Sequence, residues 1–526
     1  MEKHSIRSSM SAAVKSFMRG IRMLAFVSAF ILLPGMEAYA QEPFVVYSDG
    51  TLTFDYGEKP AEGDVYGLTD ISTQPGWEAK NKSITKVVFT DAFSQARPVS
   101  CDYWFNGCEN LTEIVGLTNL DASEVIQTFY MFKECKKIEH IDMSEFRAPK
   151  LTVCGEMFEG CESLKSLDLR KFCVDNVWAI FGMFGNCKSL TSLDLRSFNL
   201  SNVTQMNQMF EGCENLRDLY ISDDFKTEKL LPNWGTGNFR GCFKLRGAIP
   251  FENLGGEKVY DIDRANYTTG YCQKVVGAMG DELVGAAGEP LKIVDLELKD
   301  KVALVIDDDG VTSAMEASYT RDVTSDWATL CLPFAVDVTD EANTCWFYSM
   351  TGIDLDKGRI PVERITSGCI KAGVPVFVKR KDSGQTAITV VGMKGDDDCV
   401  ALVREPENAA SGNRLVGVFD AVAAPEDAYF IAKDRFRLVA DYTGKNGAKG
   451  VKVYGYRAYI MTDGGAAAPA MLTIDENGGT SGIETVGGTA DGGELFYGID
   501  GRRLSSPHKG LNLVMKGGRM MKVMVK

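Results

Sequence analysis

The sequence predicts a multidomain protein: an N-terminal repeat solenoid of α/β type, then an all-β sandwich-like domain, then a small C-terminal β module. Three observations carry that expectation. A Phe-x-x-Cys step recurs about every 26 residues through the first half of the chain. Short apolar runs separated by turn residues fill most of the second half, and a stretch rich in Gly, Ala and Thr sets off a last segment at 494–526.

Residues 1–40 read as a signal peptide. Lys3, Arg7, Lys15, Arg19 and Arg22 precede the apolar run Met23–Leu33, and after Pro34-Gly35 comes AYA at 38–40, a small-x-small cleavage pattern that places the cut before Gln41. The apolar run is shorter than the ~20 residues of a comfortable membrane span. No other stretch approaches that length, so the mature chain is expected to be exported, at the cell surface, associated with the outer membrane or extracellular, with no transmembrane segment. The leader carries a charge of +3, so the mature chain stands at −18 against −15 for the whole. Such an acidic chain is not expected to bind nucleic acid or anionic lipid through a broad electrostatic attraction.

Residues 41–83 form a lead-in and cap, and the solenoid spans 84–245. Its copies end at Phe105, Phe132, Phe158, Phe184, Phe210 and Phe239, each followed three residues later by Cys108, Cys135, Cys161, Cys187, Cys213 and Cys242. A fixed period of this size is the signature of stacked repeats. In SLTSLDLRSFNLSNVTQMNQMF (189–210), Leu193 and Leu195 alternate with Ser192, Asp194 and Arg196, which predicts a short strand with one buried face. Leu190 and Phe198 join that core. Ser201 or Asn202 is placed to cap a short helix carrying Val203, Met206 and Phe210 on one side. One copy cannot bury enough apolar surface to offset the ordering of its own backbone, so stability belongs to the array. The slot-locked cysteines read as small buried residues that stay reduced, because neighbours in a ladder rarely meet bridging geometry.

Strand residues facing away from the core form columns about 4.8 Å apart. One is His140, Ser166, Ser192, Asp218; the next Asp142, Asp168, Asp194, Tyr220; the third Ser144, Arg170, Arg196, Ser222. The candidate binding face drawn from them is His140, Asp142, Asp168, Arg170, Ser192, Asp194, Arg196, Asp218 and Tyr220. Adjacent Asp and Arg ladders can neutralise one another and solubilise an exposed sheet, or form a recognition surface. A calcium ladder on the three Asp is disfavoured, since Arg competes and no loop adds oxygen ligands.

The pattern C-x-x-L-x-x-L-D-L-x-x-F-x-x-x-x-V-x-x-M-x-x-M-F, clearest in CESLKSLDLRKF and CKSLTSLDLRSFNLSNVTQMNQMF, resembles the BspA-like branch of leucine-rich repeats. That branch is found on surface proteins of bacteria, Bacteroidetes among them, and of some parasitic protists. The resemblance implies a leucine-rich-repeat solenoid, extracellular exposure and binding to host or neighbouring-cell proteins. Its binding residues follow no fixed motif, so none is carried over. The first copy (84–105) and the last (219–239) depart from the pattern, as terminal caps should.

Residues 246–290 read as a connecting region with a short helix, and 291–475 as the all-β domain. Runs such as KIVDLEL, WATLCLPFAV, VPVFVK, TAITVVGM and GYRAYIM, separated by DDDG, DSG, GDDD and TGKNG, argue for a sandwich or barrel. WATLCLPF (327–334), AGVPVFVK (372–379) and YRAYI (456–460) resemble a β-domain that recurs in Bacteroidetes surface proteins and carries no activity with it. Asp307–Asp309 and Asp396–Asp398 lack the spacing of a calcium loop and read as solvated turns. Cys272, Cys331, Cys345, Cys369 and Cys399 leave room for one or two bridges of unspecified pairing. Residues 464–493 are rich in Gly, Ala and Thr around the strand-like MLTID, and 476–493 reads as a linker. The module at 494–526 resembles the C-terminal domain of Bacteroidetes proteins sorted by type IX secretion. It matches at Tyr497, Gly501, Arg502, Arg503, Pro507, Lys509, Gly510 and Lys526, with Asn512 where the pattern favours Tyr. The resemblance implies surface attachment; the alternative is a β-hairpin module that merely finishes the chain.

Past the leader the chain has two histidines, His140 and His508, which excludes a multi-His zinc site and leaves a Ser-His-Asp triad unsupported. No phosphate-loop or dinucleotide motif follows a suitable strand, and no carboxylate pair is singled out. The expectation is a non-enzymatic secreted or cell-surface protein, with no catalytic residue, metal or cofactor, that uses the solenoid for adhesion to host matrix or another bacterial surface. Two alternatives stay open: a structural or display protein with the solenoid as spacer, and glycan binding by the β-domain.

Overall fold

Stacking of like on like organises the repeats. Phe132, Phe158, Phe184, Phe210 and Phe239 lie ring over ring at centroid distances of 5.5–5.9 Å with planes within 7°. Phe146, Phe172 and Phe198 form a second line at 5.7 and 6.0 Å. Leu190, Leu193, Leu195, Val203 and Met206 are buried in the same core as the two lines. The computed structural model describes residues 41–249, 251, 261–308, 310–432, 434–446, 450–463 and 469–476, with the backbone of 495–497, 503–504, 510–516 and 519–525. The expected signal peptide and the linker beyond Glu476 lie outside the described residues, as do Gly501, Arg502, Pro507, Lys509 and Lys526 of the sorting-like motif.

The expected α/β-type leucine-rich-repeat solenoid does not form. The described chain is nearly all β and turn, and the one α-helix among the described residues is Val439–Asn446, far from the repeats. Where a helix was expected, alternate N–H groups point along the stack instead of back along the chain. Those of Met206, Gln208, Phe210 and Gly212 donate to the carbonyls of Trp234, Thr236, Asn238 and Arg240 at 2.7–3.1 Å. Those of Ile180, Gly182, Phe184 and Asn186 donate likewise to Gln205, Asn207, Met209 and Glu211. Left-handed residues recur every fourth position, with φ of 59° at Gln208 and 77° at Gly212, and 57° at Asn186 four after Gly182 at 60°. A right-handed helix cannot contain such residues at that spacing. The expected caps also act otherwise: the Ser201 amide donates to Asn199 Oδ1 at 3.1 Å, and Asn202 donates to the Asp175 carbonyl at 2.7 Å. Single-residue parallel bridges at Gln127, Val153, Ala179 and Gln205 mark this side of the stack.

On the other side lie short strands. The first five are β1 (Glu42–Ser48), β2 (Thr51–Gly57), β3 (Asp64–Gly67), β4 (Lys86–Phe89) and β5 (Glu113–Val115), antiparallel where β1 meets β2 and β3 in the cap and parallel from β2 to β4 to β5. They form one sheet in the order β3-β1-β2-β4-β5, so the cap joins the first coils through the parallel β2–β4 pair. Trp77, fully buried, donates its indole N–H to the Trp104 carbonyl at 2.8 Å and closes that end. Further along, β6 (His140–Ile141) pairs with β7 (Ser166–Leu167), and β8 (Ser192–Asp194) with β9 (Asp218–Tyr220). Each strand is shorter than its pattern suggests because the Asp folds the chain over. Asp142, Asp168 and Asp194 each accept the amide two residues on at 3.1 Å, an Asx turn that ends the strand.

The second half starts earlier than its apolar runs suggest. Gln273 bridges Tyr220 in parallel, and the chain runs straight on into β10 (Lys274–Met279), which pairs antiparallel with β11 (Glu282–Ala287). The stretch expected to be a connector with a short helix thus holds a 3-10 turn at Ile262–Arg264 and the first two strands of the β-domain. Leu296–Lys299, Ala317–Asp322 and Ala387–Val391 make a three-stranded sheet. A nine-stranded sheet begins with Trp327–Leu330 and nearly closes on itself. The Thr329 hydroxyl donates to the Ala458 carbonyl at 2.8 Å and accepts the Ala458 amide at 3.0 Å, and the Cys331 amide donates to the Tyr456 carbonyl at 3.1 Å. The result is a near-barrel, where the strand runs allowed a sandwich or a barrel and a sandwich-like domain was expected. All fourteen cysteines are unbridged. At the C-terminus, Leu495–Tyr497, Arg503–Leu504, Gly510–Lys516 and Arg519–Val525 form a four-stranded antiparallel sheet.

Candidate functional site

The three predicted columns occupy one side of the array and meet different surroundings along it. At the N-terminal end, His140 is exposed with Nδ1 2.8 Å from the Ser166 hydroxyl, and Asp142 is exposed at its turn. The Asp and Arg ladders pair within a coil, not between coils. Arg170 grips Asp168 with Nε at 3.0 Å and Nη2 at 2.6 Å, and Arg196 grips Asp194 at 2.9 and 2.8 Å. The Arg170 guanidinium, helped by the Arg170 amide, holds the Asp168 carboxyl below its ordinary range. These four residues thus neutralise themselves in forks two residues wide, and the Asp of each fork is also a turn-former.

Towards the C-terminal end the columns run under the second half of the molecule. Asp218 is buried and accepts from Arg217 Nε at 3.0 Å, Arg246 Nε at 2.8 Å and Gln273 Nε2 at 2.8 Å. Arg246 reaches on to Asp295 of the β-domain. Burial works against the Arg246 charge, but the Asp218 bond and then Asp295 hold its pKa above the ordinary value. Asp218 is therefore a junction residue and not an exposed member of a binding face. Tyr220 is half-buried, and burial, with Asp218 second, pushes its phenol up.

Between the array and the β10–β11 hairpin opens a cleft of about 530 Å³. Ser192, Asp194, Asp218 and Tyr220 from the predicted face line it, together with Ser166; His140, Asp142, Asp168, Arg170 and Arg196 do not. The opposite wall comes from residues the sequence reading did not single out, among them Asp281, Glu282, Asp295, Glu297 and Lys299. Most charges in the cleft are matched: Asp218 and Asp295 by Arg217 and Arg246, Glu282 by Lys299, and Asp194 by Arg196. Asp281 and Glu297 are exposed and have no ionic partner among the described residues. The wall was illegible because it depends on how a hairpin folds over the array, which no local pattern encodes. Only the acidic composition hinted at it.

The opposite side of the stack carries a second feature absent from the sequence reading. Tyr103, Phe129, Tyr130 and Phe181 form an aromatic cluster with centroid separations of 3.7–5.9 Å, and Lys133 lies 4.5 Å above the Tyr130 ring. Beside it Lys133 bridges Glu156 and Glu159 of the next coil. Among the described residues, no three His, Cys, Asp or Glu side chains converge as metal ligands would. No described helix is long and apolar enough to cross a membrane. No curated protein and no solved structure matches the chain. A family described as Mycoplasma protein of unknown function, DUF285, matches residues 99–223, which are coils of the array and include neither the cap strands β1–β3 nor the β-domain.

Proposed function

We propose that the chain is an exported, non-enzymatic binding protein that engages another protein with the strand side of its repeat array, where the array meets the β-domain. One observation carries this reading: Ser166, Ser192 and Asp194, which the array's core does not use, line a polar cleft between two walls fixed to each other by the Asp218–Arg246–Asp295 relay. Rigid, preorganised walls lower the ordering cost of binding. The basic-then-apolar leader and the resemblance of the tail to type IX sorting modules support export and surface display. The acidic charge of the mature chain favours a protein partner over a nucleic acid.

The test is capture of extracellular matrix proteins and of neighbouring bacterial cells by the mature chain, compared with a Ser166→Arg/Ser192→Arg variant that fills the cleft floor. Loss of capture in the folded variant is the expected result. Equal capture by both proteins would remove the strand side from the binding role and leave the array as a spacer.

A further inference from the structure

Resting on the reading that this cleft holds a partner protein, the geometry points to the form of what enters it: an extended segment bearing lysine or arginine side chains. Two independent features argue for this occupant. The first is backbone. Leu296–Lys299 is an edge strand, paired in parallel with Ala317–Asp322 on one side only. Its register sets Leu296 opposite Ala317, and the Leu296 amide donates to the Glu316 carbonyl, so by the alternation of a parallel ladder the Glu297 amide and carbonyl point to the unpaired side. An extended chain can add there as a further strand.

The second feature is charge. With every pair in the cleft accounted for, the carboxylates of Asp281 and Glu297 remain, one at the turn of the β10–β11 hairpin and one on the edge strand itself. They stand on the same wall as the free edge. Alternate side chains of an added strand point to one face, so a segment with basic residues at alternate positions would set them against this acidic wall. Opposite, Ser166 and Ser192 offer small hydroxyl groups that leave room for a chain and can bond to it. An acidic segment would meet two unmatched like charges and is rejected by the same arrangement.

The experiment uses the full mature chain and two labelled peptides, one alternating Lys with Thr and one alternating Glu with Thr, read by fluorescence anisotropy. The Lys peptide should bind and weaken as salt rises, and the Glu peptide should not bind. Charge reversal by Asp281→Lys with Glu297→Lys should weaken the Lys peptide about tenfold, on the order of what two exposed ion pairs supply, and should admit the Glu peptide. Glu297→Pro, which removes an unpaired amide without breaking a ladder bond, should weaken Lys-peptide binding as well. Unchanged Lys-peptide affinity in both variants overturns the proposal, as does equal binding of the two peptides or binding of calcium alone. If the reversed-charge protein still captures the partner that Ser166→Arg/Ser192→Arg loses, the basic-segment inference fails while the binding role stands. If neither variant alters capture, both fail.

Discussion

The cysteine slot shows how one atom type is selected at a position that looks merely apolar. The thiols of Cys135, Cys161, Cys187, Cys213 and Cys242 each donate to the carbonyl of the Phe in the preceding coil, at 3.0–3.2 Å. Ala or Val would keep the slot apolar and leave that carbonyl with one partner fewer. Cys213→Ala should therefore cost about 1–2 kcal/mol, from a small cavity plus a lost buried bond, measured as a shift in urea midpoint at constant slope. Burial pushes the Cys108 and Cys213 thiols up to about 12. A raised thiol pKa means the folded state holds its proton more tightly than the unfolded one. The contribution is whole below the unfolded value of about 8.5 and is lost as pH climbs towards 12. Iodoacetamide at pH 8 should accordingly modify exposed Cys369 quickly and half-buried Cys173 slowly, and the ladder thiols only after denaturation, as counted by intact mass. The burial of these cysteines was legible from their fixed slot. The bond was not, because its acceptor lies 29 residues away for Cys213.

At the scale of the element, the apolar period Val203, Met206, Phe210 was correct about burial and wrong about conformation. Spacing of three and four also fits a run of turns whose left-handed residues recur every fourth position, and the inner face is the same in both. What decides is where the backbone hydrogen bonds go, and here they go to the next coil. Coils joined this way should be interchangeable units. Deleting Leu164–Ser189, one full 26-residue period as set by the Val153↔Ala179 bridge, should leave a folded, shorter and less stable array. Deleting only Leu164–Asn176 should unfold it, because Phe and Leu slots then face polar ones; circular dichroism melts separate the outcomes. The Lys133–Glu156–Glu159 triad adds a pH term. Burial, and then the adjoining Glu159, push the Glu156 carboxyl well above the ordinary carboxylate range. The folded state therefore holds that proton more tightly. The array should lose stability as pH rises from about 5 through neutrality, and Glu156→Gln should flatten that slope in melts taken at pH 5 and 8.

For the whole molecule, the decisive contacts are few and lie at one junction. The array's last strand, β9, is bridged in parallel to Gln273, which leads directly into β10, so a backbone bridge links the two halves. Over it sits Arg246, bonded to Asp218 at 2.8 Å and to Asp295 across the boundary, while Gln273 donates to Asp218 at 2.8 Å and to the Arg246 carbonyl at 3.0 Å. Nothing in the sequence marks Arg246 apart from other arginines, since its role arises from three segments meeting. Arg246→Ala would leave Asp218, whose side chain is 8% exposed, with Arg217 and Gln273 alone, and Asp295 without its cation. Removing the shared cation of this half-buried relay costs about 2 kcal/mol, and the cost falls on the boundary and not within either half. The expected result is that a single thermal transition separates into two, with faster amide exchange over Lys274–Met279 and unchanged exchange in coils before Phe184. Arg246→Lys should restore little, because a single ammonium cannot span two carboxylates as the guanidinium fork does. One unaltered transition in Arg246→Ala would show that the backbone bridge at Gln273 and the remaining contacts fix the walls of the cleft without it. Two transitions, with peptide capture lost in parallel, would show that the walls bind because this arginine holds them at a set distance.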